Sequence, residues 1–244
     1  MVNKVNLSNV LFVDIECVPQ YPSFYDLEDG LKHLRERKAT RLADYLITEV
    51  EMDSAEMYDN RSGIYAEFGK VIVISVGYFA QTPEGTRQFR IKSFAGDDEK
   101  RLLMDFFELL NAHYSKNYHQ LCGHNIREFD VPYICRRATV HGLELPSILD
   151  ISTKKPREVN HLDTLEMWKF GDRKNFVSLD LLCRVMDVQT PKTDITGEQV
   201  ARAYWDDQQL ERIKEYCERD VLAVAELLLK FMRSEEVITD VQSL

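Results

Sequence analysis

The chain has 244 residues, 44% of them hydrophobic and 30% charged, a composition typical of a folded globular protein. Its formal net charge of −10 argues against a protein that depends on broad, nonspecific attraction to phosphate backbones. It leaves open a protein that binds a few phosphates at one site, because bound divalent cations offset a negative field locally. No apolar run approaches the roughly 18 residues of a membrane span, and the N-terminus lacks the long apolar segment of a signal peptide.

Cysteine usage indicates a reducing compartment. The five cysteines are odd in number and scattered along the chain, and none forms a CxxC pair. This pattern favours free thiols over disulfides or a zinc site. We therefore predict a cytoplasmic protein with no membrane association.

The first half of the chain is predicted to be rich in strands. A short apolar run at 10–13 predicts a buried strand that ends at Asp14. Residues 70–80 and 87–94 predict a hairpin joined through a turn at 82–85. A further short strand is predicted at 118–122.

Helices are predicted around and after these strands. Apolar residues at helical spacing in 31–48 predict a charged surface helix, and we predict that 31–60 is a helical insertion of open role. Residues 98–114 predict a clearly amphipathic helix. Further helices are predicted at 130–140, 178–187, 197–203 and 207–233. This order predicts an α/β fold in which helices flank a mixed central sheet, with residues 1–244 forming one domain.

Two carboxylates follow the first predicted strand. Asp14 and Glu16 are separated by one residue, so in an extended segment both point to the same side. They are therefore candidates for one metal site. The alternative is a pair of solvated acidic residues at the end of an ordinary strand.

Two later segments carry candidate partners. Asn125, Phe129 and Asp130 stand where a strand gives way to a helix, although Asp130 could be a helix N-cap and Asn125 a turn residue. Tyr216 and Asp220 are four residues apart in a helical pattern and therefore share one helix face. The alternative interpretation is a half-buried tyrosine and a surface aspartate without a functional role.

Taken in order, the patterns DxE, NxxxFD and YxxxD resemble the DnaQ-like, or DEDD, 3′–5′ exonuclease superfamily. The tyrosine four residues before the last aspartate resembles the DEDDy branch. The segments VDIECVP and NIREFD resemble the first and second motifs of the exonuclease domain of family B DNA polymerases. The stretch SLDLLCRVMDVQTPKTDITGEQVARAYW resembles the region before their third motif. The resemblance covers about 10–233, and no polymerase part follows, so we expect a free-standing relative.

The resemblance implies a ribonuclease-H-like fold and a two-metal active site. Asp14, Glu16, Asp130 and Asp220 match the four carboxylates that hold two divalent ions, Mg²⁺ or Mn²⁺. Tyr216 matches the residue that orients the attacking water. All five are the predicted catalytic residues.

Three more residues are predicted by the resemblance to bind substrate. Asn125 and Phe129 match the polar and aromatic companions of the second motif. Cys17 stands where the family usually has threonine, and a thiol lacks the strong hydrogen bond that a hydroxyl gives to the substrate end.

The expected partner is the 3′ end of a nucleic acid, which the enzyme hydrolyses to nucleoside monophosphates. Single-stranded DNA is favoured, because the motifs are closest to the polymerase-linked group. RNA as the substrate, or an inactive nucleic-acid-binding module on the same fold, are the alternatives. The motifs do not distinguish these hypotheses, and they indicate neither a polymerase or helicase partner nor an oligomeric state.

Further residues between the second and third motifs have two interpretations. Asp163 is predicted to cap the next element, with a supporting role behind the metal ligands as the alternative. Trp168 is predicted to pack in the core, although with Phe170 it could instead stack on a base. Basic residues surround them, and they form either a rim for phosphates or ordinary solvated loops: Lys154, Lys155, Arg157, Lys169, Arg173 and Lys174.

Overall fold

The computed structural model describes residues 5–45, 58, 62–82, 85, 87–190 and 195–244, and only the backbone within 39–45. Its described strands form one mixed sheet with the order β5-β4-β1-β2-β3-β6. Neighbours β1–β2 and β2–β3 are antiparallel, whereas β1–β4, β4–β5 and β3–β6 are parallel. The strands are β1 (Val10–Pro19), β2 (Gly69–Gln81), β3 (Arg87–Ala95), β4 (Gln120–Gly123), β5 (Leu162–Asp163) and β6 (Val241–Ser243).

Helices cover both faces of this sheet, which confirms the predicted α/β class. Among the described residues, no helix is long and apolar enough to cross a membrane. The helices are α1 (Asp29–Tyr45), α2 (Glu99–His113), α3 (Asp130–Val140), α4 (Thr164–Lys169), α5 (Leu179–Val185), α6 (Val200–Trp205) and α7 (Leu210–Met232).

Strand β1 is the centre of the fold, and its predicted end is wrong. The strand continues to Pro19, so Asp14 lies in its middle. The apolar run stops at Val13, but the backbone pairs with β2 from Phe12↔Gly77 through Pro19↔Gly69. Backbone pairing, which does not depend on side-chain polarity, carries the strand through its two acidic residues.

Alternate side chains of β1 pack in two separate parts of the core, one on each face of the sheet. Leu11, Val13 and Ile15 pack in the cluster that α2 and α3 cover. Val10 and Phe12 pack on the other face, against residues of α7. Because successive side chains point to opposite faces, Asp14 and Glu16 are directed to the α7 face.

The pairing of β1 with β2 is irregular just after Glu16. Glu16 pairs with Val73 but Cys17 pairs with Val71, which leaves Ile72 as an extra residue on β2. Ile72 and Val73 are consequently both in the apolar cluster that contains Tyr216. Such bulges are common next to active sites, where they redirect side chains.

Several elements differ from the predictions. Three short elements were not predicted: strands β5 and β6 and helix α4. Each is only two to six residues long, and the two strands pair with residues that are distant in sequence. Helix α1 is confirmed as far as Tyr45. The remainder of the predicted insertion at 31–60 lies largely outside the described residues, as does part of the turn at 82–85.

Candidate active site

The candidate site lies on β1 just beyond the point where its pairing with β4 ends. Strand β4 pairs with β1 only from Val10 to Phe12 and ends at Gly123. Beyond that point β1 continues without this neighbour, and Asp14 follows two residues later. The carboxyl ends of parallel strands are the usual place for ligands in α/β sheets.

Asp14, Glu16 and Cys217 form a compact group. Their potential ligand atoms lie within 4.8 Å of one another. The Cys217 thiol donates to Asp14 Oδ2 at 3.2 Å, and it lies 3.4 Å from the Asp14 carbonyl oxygen. Burial raises the pKa of this thiol, so it keeps its proton and serves as a hydrogen-bond donor rather than a metal ligand. Cys217 is not among the predicted site residues, although its position one residue after Tyr216 on α7 was an available signal.

Asp130 enters the site from the start of α3. It is the first residue of that helix, and Phe129 is the N-cap residue, with no capping side-chain bond. Burial, Asp163 and Asp220 raise the pKa of Asp130 to about 7, whereas hydrogen bonds with its own backbone and that of Ile15 lower it. The bond to Ile15 ties α3 to β1 next to Asp14.

Tyr216 and Asp220 come from α7, one turn apart on the same helix face. Burial raises the pKa of Tyr216 far above its usual value, and the charges of Asp220, Glu16 and Asp14 raise it further. The phenol therefore keeps its proton beside the carboxylates. Tyr216 also packs in the apolar cluster with Val18, which limits its movement.

The carboxylates are buried close to one another. Glu16, Asp130, Tyr216 and Asp220 are each between 4% and 8% exposed. Burial raises the pKa of Asp14 and of Glu16, and the charges of Asp220 and Asp130 raise both further. Within the described parts of the chain, no lysine or arginine is among the groups that shift either pKa.

This donor set fits hard divalent cations. Several buried carboxylates stay ionised together only with paired cations or bound metals, because desolvation and mutual repulsion disfavour their charged forms. Carboxylate oxygens are the ligands that Mg²⁺ and Mn²⁺ prefer. The residues that could hold such ions are Asp14, Glu16, Asp130 and Asp220.

Asp163 supports the segment before Asp130. It caps α4, as predicted, by accepting from the backbone N–H groups of Leu165 and Glu166. The same carboxylate accepts from the backbone N–H groups of Asn125 at 3.0 Å and Arg127 at 3.2 Å. One buried side chain therefore fixes both a helix start and the loop that leads to Asp130.

The three predicted substrate contacts occupy different surroundings. Cys17 and Phe129 both pack against the cluster on the α2 and α3 face, near Tyr133. The rings of Phe129 and Tyr133 are 5.5 Å apart. Asn125 has a left-handed backbone, with φ of 63°. The structure does not bring Cys17 to the face that carries the carboxylates, and substrate binding by these residues stays a prediction.

The chain also matches a family model over residues 64–243, described as a predicted 3′–5′ exonuclease related to the exonuclease domain of PolB. The chain belongs to this family. The matched range contains Asp130, Tyr216 and Asp220, whereas Asp14 and Glu16 precede it. A search of curated proteins finds no match.

The fold of this predicted exonuclease is similar to a solved structure of the family B DNA polymerase from the hyperthermophilic archaeon Pyrobaculum calidifontis. The TM-score is 0.55 at 16% sequence identity. The similarity covers 91% of this chain and 24% of the polymerase chain. The chain thus spans about a quarter of that polymerase, and at this identity the likeness establishes the fold alone.

Proposed function

We propose that this chain is a two-metal 3′–5′ exonuclease that removes nucleoside monophosphates from single-stranded DNA. The catalytic residues are Asp14, Glu16, Asp130, Asp220 and Tyr216. The same proposal treats residues 1–244 as one exonuclease domain. A cytoplasmic location agrees with five cysteines that form no disulfide.

One observation carries this proposal. Burial and the charges of neighbouring carboxylates from β1, α3 and α7 raise the pKa values of Asp14, Glu16 and Asp130, and no basic side chain of the described residues contributes to the shifts of Asp14 and Glu16. An arrangement that destabilises the metal-free protein calls for a functional reason. Two bound divalent ions would supply charge compensation, an acidified water and stabilisation of the leaving 3′ oxygen.

The protein's own groups would position the reactants. The protonated Tyr216 can donate a hydrogen bond and so aim a water, whereas its raised pKa makes it a poor general base. Cys217 directs a hydrogen bond to Asp14 and holds that carboxylate in place. Asp163 holds the loop before Asp130 through the Arg127 N–H, and the Ile15 backbone forms a hydrogen bond with Asp130 itself.

Single-stranded DNA is the proposed substrate for two reasons. The motifs resemble the polymerase-linked exonucleases, and the similar solved structure is a DNA polymerase. RNA is the alternative substrate, since the metal site does not distinguish the two sugars. A binding module without activity is less well supported, because such a module has no need of four clustered carboxylates, three of them buried, and a tyrosine.

Cleavage of 5′-labelled DNA and RNA oligonucleotides of matched sequence tests the proposal. With Mg²⁺ we expect a ladder that shortens from the 3′ end, faster on DNA than on RNA. EDTA, Asp14→Asn and Asp220→Asn should each abolish it. Undiminished cleavage in excess EDTA would refute the mechanism, and no cleavage of either polymer would leave only the binding module.

A further inference from the structure

Two phenylalanines stand in solvent on a loop beside the second motif. Phe170 is 85% exposed and Phe176 is 66% exposed. The loop between them has the sequence GDRKN and is exposed throughout. Trp168, by contrast, packs against a buried cluster of α5 and α7 residues, as predicted. The apolar surface of this loop is therefore not used in the core.

The backbone at Phe170 is unfavourable for a phenylalanine. Phe170 ends α4 in the left-handed region, with φ of 46° and ψ of 32°. Glycine or asparagine adopts this conformation with less strain, and a glycine stands at the next position. Neither packing nor backbone geometry explains a phenylalanine here, and such strain is typical of functional positions.

The ring of Phe176 is held by a contact with a buried lysine. The Lys169 ammonium lies 4.2 Å from the centre of the Phe176 ring. Lys169 is itself buried and donates to Glu166 at 2.8 Å, so its position is fixed. With a cation against one part of the ring and solvent around the rest, Phe176 presents a stable surface for stacking.

The loop is attached to the active site at both ends. Helix α4 is about 9 Å long and leads from Asp163, which holds Asn125 and Arg127, to Phe170. The other end is fixed at Val177, whose carbonyl lies 2.9 Å from His124 Nε2. His124 directly precedes Asn125, so this loop and the second motif are one connected unit.

Exposed basic side chains surround this unit. Arg127 donates to the carbonyl of Pro156, which ties a second basic loop to the second motif. A cavity of about 500 Å³ lies between that loop and α4, lined in part by Arg127, Lys154 and Glu166. Five exposed cations on the two loops have no ion pair within the described parts of the chain: Lys154, Lys155, Arg157, Arg173 and Lys174.

Three acidic residues of the region already have partners, whereas the exposed Glu128 lines the same cavity as Lys154. Glu158 accepts from the Lys155 backbone, Asp172 from the Lys174 backbone, and Glu166 pairs with Lys169. Asp163 is buried under the second motif. In a chain of net charge −10, a surface with exposed cations and exposed aromatic rings is complementary to single-stranded nucleic acid.

We propose that Phe170 and Phe176, with Arg173 and Lys174 between them and Lys154, Lys155 and Arg157 beside them, form a stacking platform for a single-stranded substrate. The platform binds the nucleotides on the 5′ side of the one that is cleaved, since these are the part of the strand that extends beyond the buried carboxylates. Bases stack on the two rings and phosphates contact the cations. This proposal rests on the proposed function, but its binding test does not.

Binding is measured in EDTA, where cleavage does not interfere, by the fluorescence anisotropy of a single-stranded DNA of about 12 nucleotides. We expect Phe170→Ala/Phe176→Ala to weaken binding at least tenfold. Arg173→Ala/Lys174→Ala should reduce the salt dependence of log K by about 0.7 for each phosphate that these side chains neutralise. The matched controls are Tyr118→Ala, which is 56% exposed, and Lys100→Ala/Lys116→Ala, and both should bind as the wild type does.

Cleavage in Mg²⁺ separates the platform from the catalytic proposal. The phenylalanine variant should raise KM for the long strand at least tenfold and change kcat far less, with an unaltered melting temperature. Equal binding by this variant and the wild type would overturn the platform and assign the phenylalanines to a protein contact. If the wild type bound DNA but did not cleave it, and the variant failed to bind, the platform would stand and the proposed function would fall.

Discussion

The protein buries a single carboxylate on one face of its sheet and a cluster of carboxylates on the other, and the electrostatics of the two sites are opposite. On the α2 and α3 face, Glu99 accepts from Arg137 at 2.6 and 2.9 Å, from the Val71 N–H at 2.7 Å, and lies 2.6 Å from His141 Nε2. Burial alone would raise its pKa, but these partners lower it below the usual value. On the α7 face, burial and neighbouring carboxylates raise the pKa of Asp14 and Glu16.

The difference separates a buried charge that is compensated within the chain from the carboxylates of the proposed metal site. Glu99 has its counter-charge within the chain, so it stabilises the contact between α2, α3 and β2. Asp14 and Glu16 have no such cation among the described groups that shift their pKa, which agrees with the proposal that divalent ions bind there. Burial alone does not mark a candidate active site, whereas buried carboxylates with mutually raised pKa values do.

The largest expected effect is on cleavage. Asp14→Asn or Asp220→Asn removes one metal ligand, and we expect at least about a hundredfold lower single-turnover rate at saturating Mg²⁺. Each variant should melt at or above the wild-type temperature in EDTA, because one repelling charge has gone. If either variant folded and cleaved DNA at the wild-type rate, the contrast between these carboxylates and Glu99 would be wrong.

The next effect is on stability. Arg137→Met leaves Glu99 buried without its main partner, and we expect a loss of about 3 to 5 kcal/mol in the free energy of unfolding by urea. Glu99→Gln/Arg137→Met should recover part of that loss. If Arg137→Met were no less stable than Asp14→Asn, the two carboxylate groups would not differ in the way described.

The pH dependence of stability sharpens the contrast. In EDTA the pKa of Asp130 is raised from 3.8 to about 7, so its contribution is fully present below pH 3.8 and is lost as pH rises through 7. Asp130→Asn should reduce the change in the free energy of unfolding over this pH range by on the order of 2 to 4 kcal/mol. Glu99, with a lowered pKa, contributes above its unfolded pKa and loses that contribution as pH falls. Urea unfolding at several pH values measures both, and a flat wild-type curve in EDTA would contradict the raised pKa.

The smallest effect is expected at Tyr216. Tyr216→Phe keeps the packed ring and removes only the hydroxyl, so metal binding should be unchanged. The cleavage rate should fall by about tenfold, because the water is still acidified but less well aimed. The deficit must be smaller than that of Asp14→Asn. Full activity of Tyr216→Phe would leave the metal site intact and remove the DEDDy assignment.

Local patterns predicted most of what the structure contains. Spacing alone put Asp14 with Glu16 and Tyr216 with Asp220, because strand and helix periodicity decide those pairs. The family resemblance joined the pairs into one site. Spacing could not reveal the second bonds of Asp163, since they reach residues 36 and 38 positions away. Strands β5 and β6 were missed for the same reason: Leu162 pairs with Cys122 and Val241 with Phe89.

The change in melting temperature on adding Mn²⁺ to metal-free protein tests the central claim most directly, with Asp14→Asn measured in parallel. Binding at Asp14, Glu16, Asp130 and Asp220 predicts a saturable rise for the wild type, about 2.7 kcal/mol of stabilisation at roughly 100 times the Kd. Asp14→Asn should show little of it, and Glu99→Gln should retain it. No rise in the wild type, or an equal rise in Asp14→Asn, would contradict the account.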